Sequence, residues 1–224
     1  MASNIGYICQ YPNRYRMNPD EYRSWLKPLL IEGQIIEPGM VQLTLEMMQQ
    51  NSRTLIQLIE KHAKLKKYRH LACLAEFLRG EGFFYFDYID EFATLLEMLL
   101  QQSIAVFETG DVFNDEFILW LPLSVYDLIF HQIRFDEYPQ ICSKLYFDLS
   151  KTALNDRFKP LYKSSCYNQC LYFIDMASHR FLERPDEFLE LWRMIERQID
   201  EGKGYAWSEE NWPAAYGEFV NDQK

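Results

Sequence analysis

The chain has 224 residues and a formal net charge of -10, with 48% hydrophobic and 16% aromatic residues. This composition is sufficient for a large buried core, and the acid excess disfavours nucleic-acid or anionic-membrane binding, because neutralising phosphates requires a basic surface. No stretch reaches the roughly 20 uncharged apolar residues of a membrane span. The sequence shows no basic region followed by a long apolar stretch, so it predicts no secretory signal. We therefore expect a cytoplasmic protein with no membrane partner.

The first helix signal along the chain is the segment NPDEYRSWL. Asn18 is suited to an N-cap, and Pro19 is suited to the first helical position, where its missing N–H is not needed. The sequence predicts a short helix from this point, disturbed at Pro28.

A second helical stripe of apolar residues runs from Met40 toward Leu65. Asn51 and Ser52 could interrupt this stripe or begin another segment. Gly80 and Gly82 are expected to end the third helix and Pro122 to kink the fifth. The further predicted helices cover 68–79, 86–106, 115–135, 139–153, 160–182 and 185–200.

The spacing of these helices predicts how they pack. Alternate helices begin about 45 to 50 residues apart, close to the roughly 40 to 47 residues of helix-pair repeats. The fold class is therefore all-α, with about eight helices in either a single irregular multi-helix bundle or a helix-pair (α-solenoid-like) array. No Gly-, Ser- or Pro-rich linker divides the chain, which predicts one domain over 1–224, with an N-terminal segment 1–39, a helical core 40–202 and an aromatic tail 203–224.

The segment CYNQCLYFIDMASH carries four side chains of the kind that bind metals. On a helical wheel Cys166 and Cys170 share the apolar side, whereas Asp175 and His179 point to the opposite side. Because a tetrahedral site needs convergent ligands, this segment alone does not predict a metal site. The two cysteines are expected in the core as reduced thiols, together with Cys73 and Cys142.

An Asp-x-x-x-His pair occurs twice, at Asp127 and His131 and again at Asp175 and His179, 48 residues apart. Stacked helices could bring these side chains together as two carboxylates and two imidazoles, enough for a divalent metal or acid–base chemistry. In the alternative interpretation each Asp binds its own His on a solvated helix face.

The run KHAKLKKYRH is the sharpest charge feature of the sequence. As a junction between two helices it could bind phosphate, RNA or an acidic protein surface. Alternatively, its cations stay solvated and complement the dipole at a helix C-terminus. The five cations are Lys61, Lys64, Lys66, Lys67 and Arg69.

Aromatic and acidic residues are mixed in the segment FFYFDYIDEF and in the tail. If exposed, they could form a binding surface for a basic protein partner; if buried, the segment packs beneath the tail. The candidate partner-binding residues are Phe84, Tyr85, Asp87, Tyr88, Asp90, Glu91, Trp207 and Trp212.

No phosphate-binding GxxxxGK[ST], GxGxxG or GxSxG motif is present. The sequence therefore favours a non-enzymatic protein-binding module without a cofactor, such as an intracellular inhibitor, a toxin-neutralising immunity protein or an adaptor. The alternatives are a metal-dependent enzyme that uses the paired Asp-x-x-x-His motifs and a phosphate or RNA binder that uses the basic run.

Overall fold

The computed structural model describes residues 18–37, 42–80, 92–131 and 138–164, and parts of the segments 166–174 and 189–197. Within these residues the regular structure is helical and contains no strand, which confirms the all-α fold class. None of the described helices is long and apolar enough to cross a lipid bilayer.

Six α-helices and three 3-10 helices follow one another between residues 19 and 163, and further helical residues lie in the segments 166–174 and 189–197. The α-helices are α1 (Pro19–Gly33), α2 (Leu45–Lys64), α3 (Tyr68–Gly80), α4 (Phe92–Thr109), α5 (Trp120–His131) and α6 (Pro139–Ala153). The 3-10 helices cover Asp111–Phe113, Glu116–Leu119 and Asp156–Lys163.

Helix α1 begins as the sequence predicts. The Asn18 side chain accepts hydrogen bonds from the N–H groups of Asp20 and Glu21 at 3.0 and 3.2 Å, and Pro19 is the first helical residue. Pro28 lies inside the helix, which continues to Gly33.

Asn51 and Ser52 do not interrupt α2, which is a single helix from Leu45 to Lys64, so the continuous one of the two alternatives is confirmed. Both residues are buried, and both side chains form hydrogen bonds while the backbone stays helical. The Asn51 amide accepts the N–H of Ile36 at 3.3 Å and donates to its carbonyl at 3.0 Å, while the Ser52 hydroxyl donates to the Met48 carbonyl at 2.9 Å. Asn51 thereby joins α2 to the segment that follows α1.

Two predicted proline effects differ from the structure. Pro122 lies in the first turn of α5, where a missing N–H is tolerated, and the change of geometry occurs earlier, where the 3-10 helix at Glu116–Leu119 passes into α5. Pro160 does not start a helix, because the Asn155 side chain accepts the N–H of Arg157 at 3.0 Å and begins a 3-10 helix upstream of it.

Helix α3 is the centre of the described structure. Its residues 71–78 are all buried, and it contacts α1, α2, α4 and α5. Eight consecutive buried residues cover every face of a helix, so α3 requires neighbours on every side, which explains this position.

Alternate helices stack directly on one another. The most extensive contacts join α3 to α5, and α4 packs on α6 and α1 on α3. Side-chain hydrogen bonds connect residues 46 to 49 positions apart, which matches the helix-pair spacing predicted from the sequence. These bonds join Arg69 to Asp115, Glu76 to Ser124, Arg79 to Asp127, Glu108 to Arg157 and Glu116 to Ser164.

Candidate functional site at the junction of α2 and α3

The basic run forms the tight turn between α2 and α3. The N–H of Lys67 donates to the carbonyl of His62 and the N–H of Lys66 to that of Ala63, both at 3.0 Å. Lys66 is in the left-handed region, with φ of 51°. This pair of bonds is the Schellman closure of a helix C-terminus, and it leaves Leu65 on the surface with 55% of its area exposed.

Two of the five predicted cations are held by carboxylates of the chain itself. Lys61 pairs with Glu32 of α1. Arg69 forms a two-pronged bond with Asp115, and its guanidinium lies 5.4 Å from the ring centre of Trp25 and 5.3 Å from that of Phe117. Arg69 therefore fixes α3 against α1 and the segment before α5.

The other three cations, Lys64, Lys66 and Lys67, are exposed. Among the residues that the structure describes, they form no ion pair, in contrast to Lys61 and Arg69. Three positive charges thus face solvent within one turn.

A shallow cleft of about 450 Å³ adjoins Lys66 and Lys67. The rings of Trp25 and His70 pack edge to face, with their centres 5.3 Å apart. The cleft therefore combines cationic side chains with an aromatic floor. Its lining residues are Trp25, Lys66, Lys67, Tyr68, Arg69, His70, Asp111 and Ile118.

Two histidines are stacked behind the junction. The rings of His62 and His70 lie 4.7 Å apart at an angle of 17°, and only 2% of His62 is exposed. Neither ring nitrogen of His62 has a hydrogen-bond partner in the described part of the chain. Burial, followed by the charges of His70, Lys61 and Lys67, lowers the pKa of His62 to about 4.

The described half of the paired Asp-x-x-x-His motif is buried. Asp127 is only 6% exposed and accepts a hydrogen bond from Arg79 of α3 at 2.8 Å. Arg79 also binds Glu76, whose carboxylate accepts the Ser124 hydroxyl at 2.9 Å. The interpretation of Asp127 as part of a solvated face was therefore wrong, because its polar stripe faces the polar side chains of α3 rather than water.

No group of three or more His, Cys, Asp or Glu side chains is placed to hold a metal ion in the regions described. Asp175, His179 and the side chain of His131 lie outside those regions, so the convergence of the two pairs stays a prediction. Cys166 and Cys170 are buried free thiols, as predicted, and so are Cys73 and Cys142.

The candidate partner-binding residues of the aromatic and acidic segments lie outside the described residues. This holds for Phe84, Tyr85, Asp87, Tyr88, Asp90, Glu91, Trp207 and Trp212.

Sequence reasoning found the lysines of the junction but missed the rest of the cleft. Trp25, Asp111 and Ile118 come from three different elements, and no local pattern connects them to the basic run. His62 and His70 both belong to the basic run. Their positions eight residues apart, on either side of the turn between two helices, were the signal that could have indicated their contact. No protein family, curated protein or solved structure matches the chain.

Proposed function

We propose that the chain is a protein-binding module and that the junction of α2 and α3 contacts an acidic surface of its partner. The carrying observation is the group of three exposed lysines that form no ion pair with the described residues, beside an aromatic cleft. An inhibitor, an immunity protein or an adaptor would use such a surface.

Charge supports this choice of partner. The chain has 33 acidic and 23 basic residues, so a cluster of three exposed lysines differs in sign from the molecule as a whole. Complementary charges accelerate encounter and fix the orientation of two proteins. The ring of Trp25 and the exposed side chain of Leu65 supply apolar contact area next to these charges.

The same observations disfavour nucleic acid as the partner. Proteins that bind nucleic acid strongly contact about six to ten phosphates, whereas one turn with three lysines offers about three such contacts. An acidic protein with a limited contact patch fits the junction better.

The test compares charge reversal at the junction with charge reversal elsewhere. A variant with Lys64, Lys66 and Lys67 changed to Glu is expected to lose a captured partner, because the new acids repel an acidic surface. The matched control changes Lys27, Arg53 and Arg193 to Glu, which are exposed and lie outside the junction. Binding of the purified partner, measured by calorimetry at two salt concentrations, is expected to weaken at least about tenfold in the junction variant only.

Two outcomes would contradict the proposal. Equal loss in both charge-reversed proteins would show a general charge effect without a site. Loss of binding only on changing Trp207 and Trp212 to Ala would place the contact on the aromatic tail and suggest a basic partner.

A further inference from the structure

We infer that the stacked imidazoles of His62 and His70 form an acid-sensitive switch that releases the turn holding Lys66 and Lys67. The inference deepens the proposed function, since it concerns regulation of the same surface. It begins from geometry: two parallel rings 4.7 Å apart, one of them 2% exposed, at the base of the α2–α3 turn.

The groups around the ring pair disfavour a proton. Helix α1 contributes the carboxylate of Glu32, which is already paired with Lys61 of α2. The turn contributes Lys67, and α3 contributes His70 itself. Trp25 of α1 meets His70 as a neutral ring, and Asp111 lines the cleft on the side of His70. The cations of Lys61 and Lys67 therefore oppose protonation of His62. The one carboxylate that favours it, that of Glu32, is already bound to Lys61.

The direction of the pH effect follows first from the burial of the two rings and then from these charges. The pKa of His62 is lowered from 6.5 to about 4, and burial also lowers that of His70. When folding lowers the pKa of a group, that group stabilises the folded state at pH values above its pKa in the unfolded chain. This stabilisation is lost as the pH falls toward its pKa in the folded chain. The junction is thus stable above about pH 6.5 and weakens progressively toward pH 4.

His62 connects this titration to the lysines through the backbone. Its carbonyl accepts the N–H of Lys67 at 3.0 Å, in the same closure that places Lys66 in the left-handed region. A charged His62 ring that moves toward water pulls on this carbonyl. The arrangement of Lys66 and Lys67 is then lost although neither lysine changes its own charge.

The experiment follows ring and turn separately in the full chain by NMR. The ring signals of His62 are expected to titrate well below those of an unfolded histidine. The hydrogen-exchange protection of the Lys67 amide is expected to fall at least about tenfold between about pH 7 and pH 4.5. A His62→Phe variant keeps an aromatic ring that cannot be protonated, and its Lys67 protection is expected to change less than about threefold. His179→Gln, which changes a histidine outside the basic run, is the control and should behave as the natural chain.

Ordinary titration of His62 near pH 6.5 with unchanged protection of Lys67 would overturn the switch, and this measurement needs no variant. His70→Phe provides a second uncharged ring if His62→Phe does not fold. Loss of protection in acid with unaltered binding of the partner would support the switch and overturn the junction as the contact surface. Parallel loss of Lys67 protection and of partner binding in acid supports the switch and also the junction as the contact surface.

Discussion

Lys66 has a backbone conformation that glycine adopts at lower cost. Its φ of 51° places Cβ close to the following carbonyl, a conformation that costs a residue with a side chain roughly 1 kcal/mol. We expect Lys66→Gly to raise the free energy of unfolding by about 0.5 to 1 kcal/mol, measured by urea denaturation. The same change removes one exposed cation and should weaken partner binding.

The neighbouring position provides the control for this prediction. Lys67 has no positive φ, so Lys67→Gly is expected to lower stability slightly through the flexibility of glycine. A gain in stability from both substitutions, or from neither, would contradict the role assigned to the Lys66 backbone.

Asn51 illustrates what a single buried amide contributes. Replacing it with Leu keeps the size of the side chain but leaves the N–H and the carbonyl of Ile36 without this partner. We expect Asn51→Leu to lower the free energy of unfolding by about 2 to 3 kcal/mol. Gln50→Leu on the exposed face of α2 should change it by less than about 0.5 kcal/mol, and equal effects at the two positions would contradict this account.

At the scale of elements, one guanidinium joins α3 to α5. Arg79 binds Glu76 within α3 and Asp127 of α5, and both carboxylates are nearly inaccessible to water. Its pKa lies above the ordinary value because of these two partners, although burial opposes the rise. The contact between α3 and α5 therefore depends on a cation being present between them.

We expect Arg79→Met to destabilise the chain by about 3 to 5 kcal/mol, since it leaves two buried carboxylates without their cation. Changing Glu76 and Asp127 to Leu in the same protein should recover most of that loss. Denaturant unfolding measures both effects. Lys144→Met, which breaks an exposed pair with Asp148 in α6, is the control and should cost less than about 0.5 kcal/mol. No recovery in the triple variant would show that the three side chains do more than neutralise one another.

The elements show how far the sequence predicts the structure. Helix α6 has the predicted bounds, and Asn18 caps α1 as expected, because these signals lie within a few residues of one another. Asp127 was misplaced because its partner Arg79 is 48 residues away. A helical wheel identifies a polar stripe but does not distinguish a stripe that faces water from one that faces a buried arginine. The cleft beside the junction was missed for the same reason.

At the scale of the whole molecule, four cysteines report on unfolding. Burial raises the pKa of the Cys73 thiol to about 12 and also raises the pKa of Cys166 and Cys170. Because the thiolate is the reactive form, we expect these three and Cys142 to resist a thiol reagent at about pH 8 in the native state. All four should react once urea unfolds the chain, with the same midpoint as the loss of helical circular dichroism.

Mass spectrometry of the labelled peptides checks this expectation site by site. Labelling of Cys166 or Cys170 under native conditions would show that the helical residues of the segment 166–174 open independently of the rest. Cys9 lies outside the described residues, and its labelling has no bearing on this outcome.

The stacking of alternate helices also has a consequence for how the chain folds. The cross-helix bonds of this stack close loops of no more than 49 residues, so each step of assembly has a similar and modest entropic cost. Contacts that lie closer in sequence form faster than those that must join the distant ends of a chain. We expect each helix to pack against its stacking partner, the second helix after it, as soon as that partner has been synthesised. Folding then proceeds along the chain in the order of its synthesis.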